Sequence, residues 1–443
     1  MDPENKDNLK GYKINYIGGI FIMSEKMNMQ PNPDFLKRLK LFQDTLACKK
    51  TDKILCSPML MYLPIYMYGE TTVHDVMMDY SKAQSSLIRY HQEFQPDLSW
   101  GPQIIYPGAA LETLGCNYIK IPGVHLDANA PFQVVDTEEG FMTEDEYLEY
   151  AEDPTGFIMR KVLPRHYSNL QGLSMVDFSN AIWQGGLYSM IPFALPPVQS
   201  AFHAMGEAGK KMLKMAEDGG KIMGILAGMG FPSACDQAFF APFDVFNDTL
   251  RGMCNASIDM ITCPDEMLIA LEACTKIQIR SIKDQFARSP YMKNVIFFLH
   301  NGFDTFMSRE QWLTFYWPGL KACVEAVIEC GGVPNLYVED KLDMKIDILA
   351  NELPAGKCIV TLINSDVEKA KNLCAGKICL SGGINGVLLE HGTPEEVKKH
   401  VKAAIDLWAP GGGYFMNTDV SLDNAKPENL RVLFDIAQNY IKY

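Results

Sequence analysis

The chain has 443 residues, of which 47% are hydrophobic and 21% are charged, so it can bury a large core and is not disordered. Its formal net charge of −14 argues against non-specific binding to nucleic acid or to an anionic membrane. The first residues, MDPENKDNLKGYKINYIGGIFIM, lack the basic region and apolar core of a signal peptide, and no apolar run is long enough to span a membrane. Together with twelve cysteines that form no C-x-x-C pair, these features predict a cytoplasmic protein.

The first part of the chain mixes helical patterns with irregular stretches. In chain order the spacing predicts a helix over 33–48, a strand over 53–60, a helix over 72–94, a strand over 99–106, and helices over 210–217, 242–254 and 265–287. Residues 107–163 are rich in Pro, Gly, Asp and Glu. We expect an irregular insert, or lid, over about 107–200 and an amino-terminal extension over 1–34.

The last third of the chain alternates short apolar strands with helices. Strands are predicted over 295–300, 333–339, 358–364, 377–381 and 413–416, and helices over 308–330, 345–353, 366–373, 394–407 and 427–440. This alternation is typical of a parallel α/β fold. A (β/α)8 barrel with an elaborated amino-terminal half, forming one catalytic domain over 1–443, fits the length best. A doubly wound sheet is the alternative, although no dinucleotide fingerprint or P-loop is present.

Three potential metal donors lie at or near the carboxyl ends of the predicted strands, where barrel enzymes hold their catalytic groups. The strand VIFFLH ends on His300, the strand NLYVE ends on Glu339, and KICLS carries Cys379. One nitrogen, one oxygen and one sulfur donor would suit zinc with an open fourth position. In that position a metal can act as a Lewis acid on a bound substrate.

Each of these residues also has a structural interpretation. A histidine at a strand end often makes a structural hydrogen bond, a strand cysteine often packs as a small apolar residue, and a carboxylate there can be the first solvated loop residue. Asp304 and Asp340 are alternative carboxylate ligands. Asp366, which begins a helix, is either an N-cap or a hydrogen-bonding group at the barrel mouth.

Six segments of the chain carry a resemblance to a known family: HNGFDTFMSREQWLTFYWPGLK, VPNLYVEDKLDMKIDIL, CLSGGINGVLLEHGTPEEV, PGGGYFMNTDVSLDNAKPENL, KKTDKILCSPMLMYLPIYMYG and PFDVFNDTLRGMCNASIDMITCPDEML. They resemble the uroporphyrinogen decarboxylase-like superfamily. Within it they look closest to the corrinoid-dependent methyltransferases of O-demethylase systems. The resemblance covers most of residues 35–443 and is strongest in the last third.

The resemblance implies a (β/α)8 barrel that moves a methyl group, most readily from a phenyl methyl ether, to the Co(I) corrinoid of a partner protein. It implies a bound zinc ion held by His300, Glu339 and Cys379, with Asp304 as the competitor of His300. Glu339, Asp304 and Asp366 are the expected catalytic residues. A homodimer is the expected oligomer, and no residue is assigned to corrinoid binding.

The sequence also departs from parts of this superfamily. It lacks the His-x-Cys motif of the thiol-methylating branch at the strand that holds Val338 and Asp340, and it lacks that branch's late Cys near Asp419. It also lacks the Arg-rich amino-terminal motif of the decarboxylase itself. A decarboxylase and a non-catalytic corrinoid- or metabolite-binding barrel remain as alternatives. Trp183, Met190 and Phe193 predict an apolar pocket suited to an aromatic ether.

Overall fold

The computed structural model describes residues 14–17, 20–23, 32–102, 105–135, 140–179, 181–289 and 291–440. The extension predicted over 1–34 therefore lies largely outside the described residues, apart from two short strands. The described strands are β1 Ile14–Ile17, β2 Ile20–Met23, β3 Leu55–Cys56, β4 Ile119–Lys120, β5 Gln133–Val134, β6 Gln237–Phe240, β7 Asn294–Leu299, β8 Val333–Val338, β9 Ile359–Leu362, β10 Cys379–Ile384 and β11 Tyr414–Thr418.

Seven of these strands form one parallel sheet in the order β3-β11-β10-β9-β8-β7-β6, while β1 pairs with β2 and β4 with β5 in antiparallel ribbons. Strands β8 to β11 are almost wholly buried. Parallel strands covered by helices on one face and by a barrel interior on the other are expected to be buried in this way. The α/β class predicted from the alternating pattern is confirmed.

The two edge strands of the sheet, β3 and β6, are joined through a short segment that contains Asp97 and Ser99. The Asp97 amide donates to the carbonyl of Cys56 at 3.0 Å, and the Ser99 amide donates to the carbonyl of Pro232 at 2.8 Å. The Asp97 carboxylate also accepts the Cys56 amide and forms an ion pair with Lys53. This segment takes the eighth position of the ring, so the sheet closes as the predicted (β/α)8 barrel.

Helices surround the barrel and also fill the region between β3 and β6. The α-helices are α1 Pro33–Leu46, α2 Leu63–Tyr68, α3 Val73–Met78, α4 Gln84–Phe94, α5 Gly108–Leu114, α6 Tyr147–Glu152, α7 Pro154–Phe157, α8 Leu163–His166, α9 Pro196–Gly228, α10 Pro242–Asp244, α11 Met253–Thr262, α12 Pro264–Arg288, α13 Arg309–Gln311, α14 Trp317–Glu329, α15 Ile346–Glu352, α16 Val367–Cys374, α17 Gly386–His391, α18 Pro394–Trp408 and α19 Pro427–Asn439. In the described part of the chain, every helix is too short or too polar to cross a lipid bilayer.

Several segments are wound more tightly or more loosely than an α-helix. Tight 3-10 segments cover Tyr80–Ala83, Glu144–Glu146, Ser168–Met175 and Gln184–Ala194, and wider π-helical segments cover Ile158–Val162, Val245–Leu250 and Trp312–Tyr316. Wider turns of this kind insert an extra residue into a helix and are frequent at functional sites.

The elements of the last third begin where the capping residues predict. Ser308 and Gln311 form a capping box at the start of α13, and Thr393 and Glu396 form one at the start of α18. Each box satisfies backbone amides that an open helix end would leave unpaired. The strands and helices predicted from residue 295 onward are all present, with shifts of a few residues at their ends.

The first part of the chain differs more from the predictions. The helix predicted over 72–94 is divided at Asp79, whose backbone is extended. The strand predicted over 99–106 is reduced to one bridge between Ser99 and Ser233. The helix predicted over 210–217 is the middle of α9, and the insert consists mostly of short helical turns. Strand β6 was not predicted, because QAFF is short and half-exposed.

Candidate active site

Three charged side chains meet at the carboxyl edge of the neighbouring strands β6, β7 and β8. Asp248 lies in the π-helical segment after β6, His300 directly follows β7, and Glu339 directly follows β8. His300 Nδ1 lies 2.5 Å from Asp248 Oδ2, and His300 Nε2 lies 3.9 Å from Glu339 Oε1. The side chains of Asp248, His300 and Glu339 are 20%, 32% and 41% exposed. The imidazole therefore bridges two carboxylates and remains accessible from the barrel mouth.

The orientation of Asp248 is fixed by hydrogen bonds to its second oxygen. Asn301 Nδ2 donates to Asp248 Oδ1 at 3.1 Å, and Asn247 Nδ2 donates to the same oxygen at 2.8 Å. An ionised carboxylate only accepts hydrogen bonds, so Asp248 holds a proton on Nδ1 of His300. The other ring nitrogen, Nε2, is thereby left directed toward Glu339.

The charges around the imidazole determine its protonation. Burial opposes the charged form of His300 and lowers its pKa. The hydrogen bond and charge of Asp248 act in the opposite direction, as do the charges of Glu339 and Asp244. Together these groups raise the pKa of His300 to about 9. The ring is therefore protonated at neutral pH. Burial raises the pKa of Glu339, His300 lowers it and Asp248 raises it, with a net rise. Perturbed pKa values of this kind are frequent at acid–base sites.

A third acidic residue, Asp244, lies fully buried beneath this group. The Tyr316 hydroxyl donates to Asp244 Oδ2 at 2.6 Å, while Oδ1 has no hydrogen-bond partner among the described residues. Burial, followed by the charge of Asp248, raises the pKa of Asp244 well above its usual value. Gly302 allows Tyr316 to approach, because a Cβ at this position would lie 2.6 Å from the tyrosine ring.

Aromatic side chains form the walls beside His300. The ring centroids of Phe240 and Phe298 lie 5.6 and 6.1 Å from that of His300, and Tyr337 packs against Phe298 at 5.5 Å. The Tyr337 hydroxyl is buried without a hydrogen-bond partner among the described residues. Burial, with the charge of Glu339, raises the pKa of Tyr337, so its hydroxyl remains a potential donor.

The structure does not bring Cys379 to this group, contrary to the prediction. Cys379 pairs with Ile359 of β9, which pairs with Asn335 of β8. Asn335 precedes Glu339 by four residues, which is about 13 Å along a strand. Cys379 is the first residue of β10 rather than a mid-strand residue, and it is 1% exposed at the amino end of the barrel.

The other predicted carboxylates hold the loops that follow the strands. Asp304 Oδ1 lies 3.3 Å from Nζ of Lys345, whose side chain is fully buried. Asp366 caps α16, as its N-cap interpretation predicts. Asp340 accepts the hydroxyl of Thr305 at 2.6 Å. None of the contacts made in the described part of the chain joins these three carboxylates to His300 or Glu339.

The donors that remain together do not form the predicted zinc site. Without Cys379, the set is reduced to His300 Nε2 and Glu339, because Asp248 is engaged by the other ring nitrogen. The described residues contain no group of three or more histidine, cysteine or acidic side chains arranged to hold a metal ion. A catalytic zinc site usually has three protein ligands, so we assign no chemical step to zinc.

Sequence reasoning missed three residues of the site, namely Asp248, Asp244 and Tyr316. The available signal was the spacing of the two aspartates in PFDVFNDTL, because residues four apart share one face of a helix. That signal could not be used without β6, since only the strand shows that these aspartates lie at the carboxyl edge.

The insert residues predicted to line an apolar pocket are placed differently. Trp183 is 62% exposed and Met190 is 41% exposed, so both side chains face solvent. Phe193 packs between the rings of Phe178 and Phe202. The aromatic walls beside His300 come from strands β6, β7 and β8 instead.

One family model and one solved structure agree with this architecture. Residues 238–440 match the family model of uroporphyrinogen decarboxylase. The solved structure of a methyltransferase from Methanosarcina mazei is similar over 92% of this chain and 98% of its own, with a TM-score of 0.58 and 14% sequence identity. A B12-independent methionine synthase from a Shewanella species, in complex with selenomethionine, covers 45% of this chain and 61% of its own, with a TM-score of 0.33 and 14% identity. No curated protein matches the sequence significantly. Residues 238–440 are therefore similar to the uroporphyrinogen decarboxylase family, as the motifs in that part of the sequence predict.

Proposed function

We propose that this protein is a methyltransferase that moves the methyl group of a phenyl methyl ether to the Co(I) of a corrinoid carried by a partner protein. The observation that carries the proposal is the imidazole of His300, held between Asp248 and Glu339 at the edge where barrel enzymes keep their catalytic groups. The match of residues 238–440 to the uroporphyrinogen decarboxylase family model and the likeness to a methyltransferase support the reaction class. The ether and the corrinoid partner rest on the sequence resemblance.

The chemical step requires a proton donor on the substrate side. When an aryl methyl ether is demethylated, the bond between the methyl carbon and the oxygen breaks, and its electron pair stays on the oxygen. The methyl carbon accepts the electron pair of Co(I). His300 donates its Nε2 proton to the departing oxygen, so the phenol leaves as a neutral molecule. Asp248 orients the ring and stabilises its charge before the transfer.

Glu339 provides a route for restoring that proton. Its carboxylate is 3.9 Å from His300 Nε2 and is 41% exposed, so it can exchange protons with water at the mouth. The raised pKa of Glu339 makes proton uptake easier than at an ordinary carboxylate. We therefore assign His300 as the general acid and Glu339 as the group that returns a proton to it.

The same geometry favours an ether over a quaternary amine as methyl donor. A tertiary amine that leaves a quaternary ammonium ion needs no proton, so the general acid that His300 provides would have no role with such a donor. Phe240 and Phe298 offer apolar ring contacts to an aryl group. The Tyr337 hydroxyl can hydrogen-bond an oxygen substituent on such a ring.

The test uses the purified full chain with cob(I)alamin as acceptor and a set of methoxybenzenes as donors. Methyl transfer is followed by loss of the Co(I) absorbance. We expect His300→Gln to lower the rate by about 100-fold or more, since general acid catalysis contributes at least this factor. His391→Gln is the control, because the side chain of His391 is 70% exposed. Transfer from a quaternary amine or thioether alone would overturn the choice of donor, and no transfer from any donor would overturn the function.

The decarboxylase remains the second candidate, because the family model that matches residues 238–440 is that of uroporphyrinogen decarboxylase. Here His300 would protonate the carbon left after loss of CO2. Release of CO2 from uroporphyrinogen without any corrinoid would support this candidate and would contradict the methyltransferase.

A further inference from the structure

Polar contacts join the two loops that begin with His300 and Glu339. His300 is the first residue after β7 and Glu339 is the first after β8, and the ladder between these strands ends at the pair Leu299 and Val338. Beyond that pair, the two loops are held by other groups. The relative position of the two side chains of the site therefore depends on the loops as well as on the strands.

Asp304 and Lys345 lie at the centre of these contacts. Nζ of Lys345 lies 3.3 Å from Asp304 Oδ1 and donates to the carbonyl of Met307 at 2.7 Å. Asp304 Oδ2 accepts the Met344 amide at 2.8 Å, and the Asp304 amide donates to the carbonyl of Lys341 at 2.7 Å. Each contact joins the loop after β7 to the loop after β8. We call this group the loop clamp; its residues are Asp304, Met307, Lys341, Met344 and Lys345.

The lysine of the loop clamp is completely buried, which is rare for this residue type. Its side chain is 0% exposed, and that of Asp304 is 9% exposed. Burial lowers the pKa of Lys345, whereas the charge and the hydrogen bond of Asp304 raise it, with a net fall. A buried ion pair usually adds no more stability than apolar residues of similar size, because both charges must be removed from water. A buried hydrogen-bonded network does hold one geometry, so the loop clamp serves geometry rather than stability.

The segment between His300 and Asp304 is too short to absorb a shift of the loop clamp. Its second residue, Asn301, is 4% exposed and donates from Nδ2 to Asp248 Oδ1 at 3.1 Å. Its third residue, Gly302, lies against the ring of Tyr316. The segment is therefore fixed to the site on one side and to the loop after β8 on the other. A displacement of Asp304 would move His300 relative to its neighbours.

We propose that Lys345 is a positioning residue for the acid–base pair of the site. It holds Asp304 and the Met307 carbonyl, and the loops joined in this way set the distance of 3.9 Å between His300 Nε2 and Glu339 Oε1. None of its contacts in the described part of the chain reaches either of these side chains, so it acts through the loop backbone. A misplacement of about 1 Å can cost about 100-fold in rate. The inference rests on the proposed function, because it takes His300 as the general acid.

The test compares Lys345→Met with the same substitution at the opposite end of the barrel. Lys53 lies just before β3 and pairs with Asp97, whose side chain is 4% exposed. Lys53→Met therefore also leaves a buried aspartate without its cation, but far from the carboxyl edge. Both full-length variants should lose stability in urea unfolding. Only Lys345→Met should lower the kcat of methyl transfer, by about 10–100-fold with little change in KM.

Nuclear magnetic resonance of histidine-labelled protein provides a second measurement, which needs no substrate. The ring signals of His300 report its surroundings directly. We expect them to shift in Lys345→Met and to stay in place in Lys53→Met. An unmoved His300 signal in Lys345→Met would overturn the inference, even with a lower rate, because Lys345 would then not position the ring.

A double substitution separates positioning from stability. In Asp304→Leu combined with Lys345→Met both charges are absent, so the stability lost in Lys345→Met should return. The hydrogen bonds of the loop clamp do not return, so we expect the rate to stay low and the His300 signal to stay displaced. Recovery of rate and signal together with stability would overturn the inference, as would equal losses of rate in Lys345→Met and Lys53→Met. The unfolding and resonance measurements do not depend on methyl transfer, so failure of the proposed function is distinguishable from failure of the inference.

Discussion

Replacing Asp248 with asparagine keeps the size of the side chain that orients His300 but removes its negative charge. Asp248 is the strongest of the groups that raise the pKa of His300 to about 9. Loss of an opposite charge within hydrogen-bond distance lowers a pKa by about 1–3 units. In Asp248→Asn we therefore expect the pKa of His300 to fall to about 6–8, so that the ring loses its proton closer to neutral pH.

The same shift makes a contribution to stability whose sign can be worked out. A rise from 6.5 to about 9 corresponds to about 3 kcal/mol at 1.36 kcal/mol per unit. Because the side chain of His300 is 32% exposed, solvent screening reduces the expected stabilisation to about 1–2 kcal/mol. The folded pKa lies above the unfolded one, so this stabilisation is complete below pH 6.5 and is lost as the pH rises through about 9.

Nuclear magnetic resonance of histidine-labelled protein measures the titration directly, because the chain has only eight histidines. The signal of His300 is identified by its absence in His300→Gln. Urea unfolding at low and high pH measures the accompanying change in the free energy of unfolding. A wild-type His300 that titrates near pH 6.5, or an unchanged pKa in Asp248→Asn, would refute the argument. The alkaline limb of the methyl-transfer rate should move with the measured pKa.

Three further substitutions test other parts of the site. Cys379→Ser should leave both the zinc content per chain, measured by mass spectrometry, and the transfer rate unchanged; a loss of zinc would restore Cys379 as a ligand. Lys345→Met should lower the free energy of unfolding by about 3–5 kcal/mol, because it leaves the carboxylate of Asp304 without its cation; a negligible cost in urea unfolding would contradict this pairing. Tyr316→Phe should lower the free energy of unfolding by about 1–3 kcal/mol, because Asp244 loses a buried hydrogen bond. The methyl-transfer rate of each variant that still folds shows whether the substitution affects catalysis as well as stability.

The last third of the fold could be predicted because its signals are local. Short apolar strands and capping residues such as Ser308 and Thr393 determine where elements begin, largely without help from distant parts of the chain. His300 and Glu339 could be placed at the site for the same reason, since each follows an apolar strand directly. The distance of 3.9 Å between His300 Nε2 and Glu339 Oε1 then follows from the pairing of β7 with β8.

The remaining features depend on contacts that the sequence does not display. Cys379 was misplaced because the start of β10 is set by a turn in which Gly376 has a positive φ of 68° and the Lys377 amide bonds the carbonyl of Cys374. Asp248 was missed because β6 is short and half-exposed, so its pattern does not identify a barrel strand. Its position also depends on the π-helical winding after β6, which residue spacing does not predict.

The closure of the barrel at Asp97 has a consequence for how the protein tolerates change. Most strands of the ring are held by ladders of backbone hydrogen bonds, and every residue except proline supplies those groups. At the closing segment, the carboxylate of Asp97 replaces part of this backbone ladder, because it accepts the Cys56 amide and forms an ion pair with Lys53. Many side chains can replace one another along a ladder, whereas no other side chain reproduces the reach and charge of Asp97. We therefore expect the barrel to tolerate substitutions at most ladder positions and to be sensitive to the replacement of Asp97 at its closure.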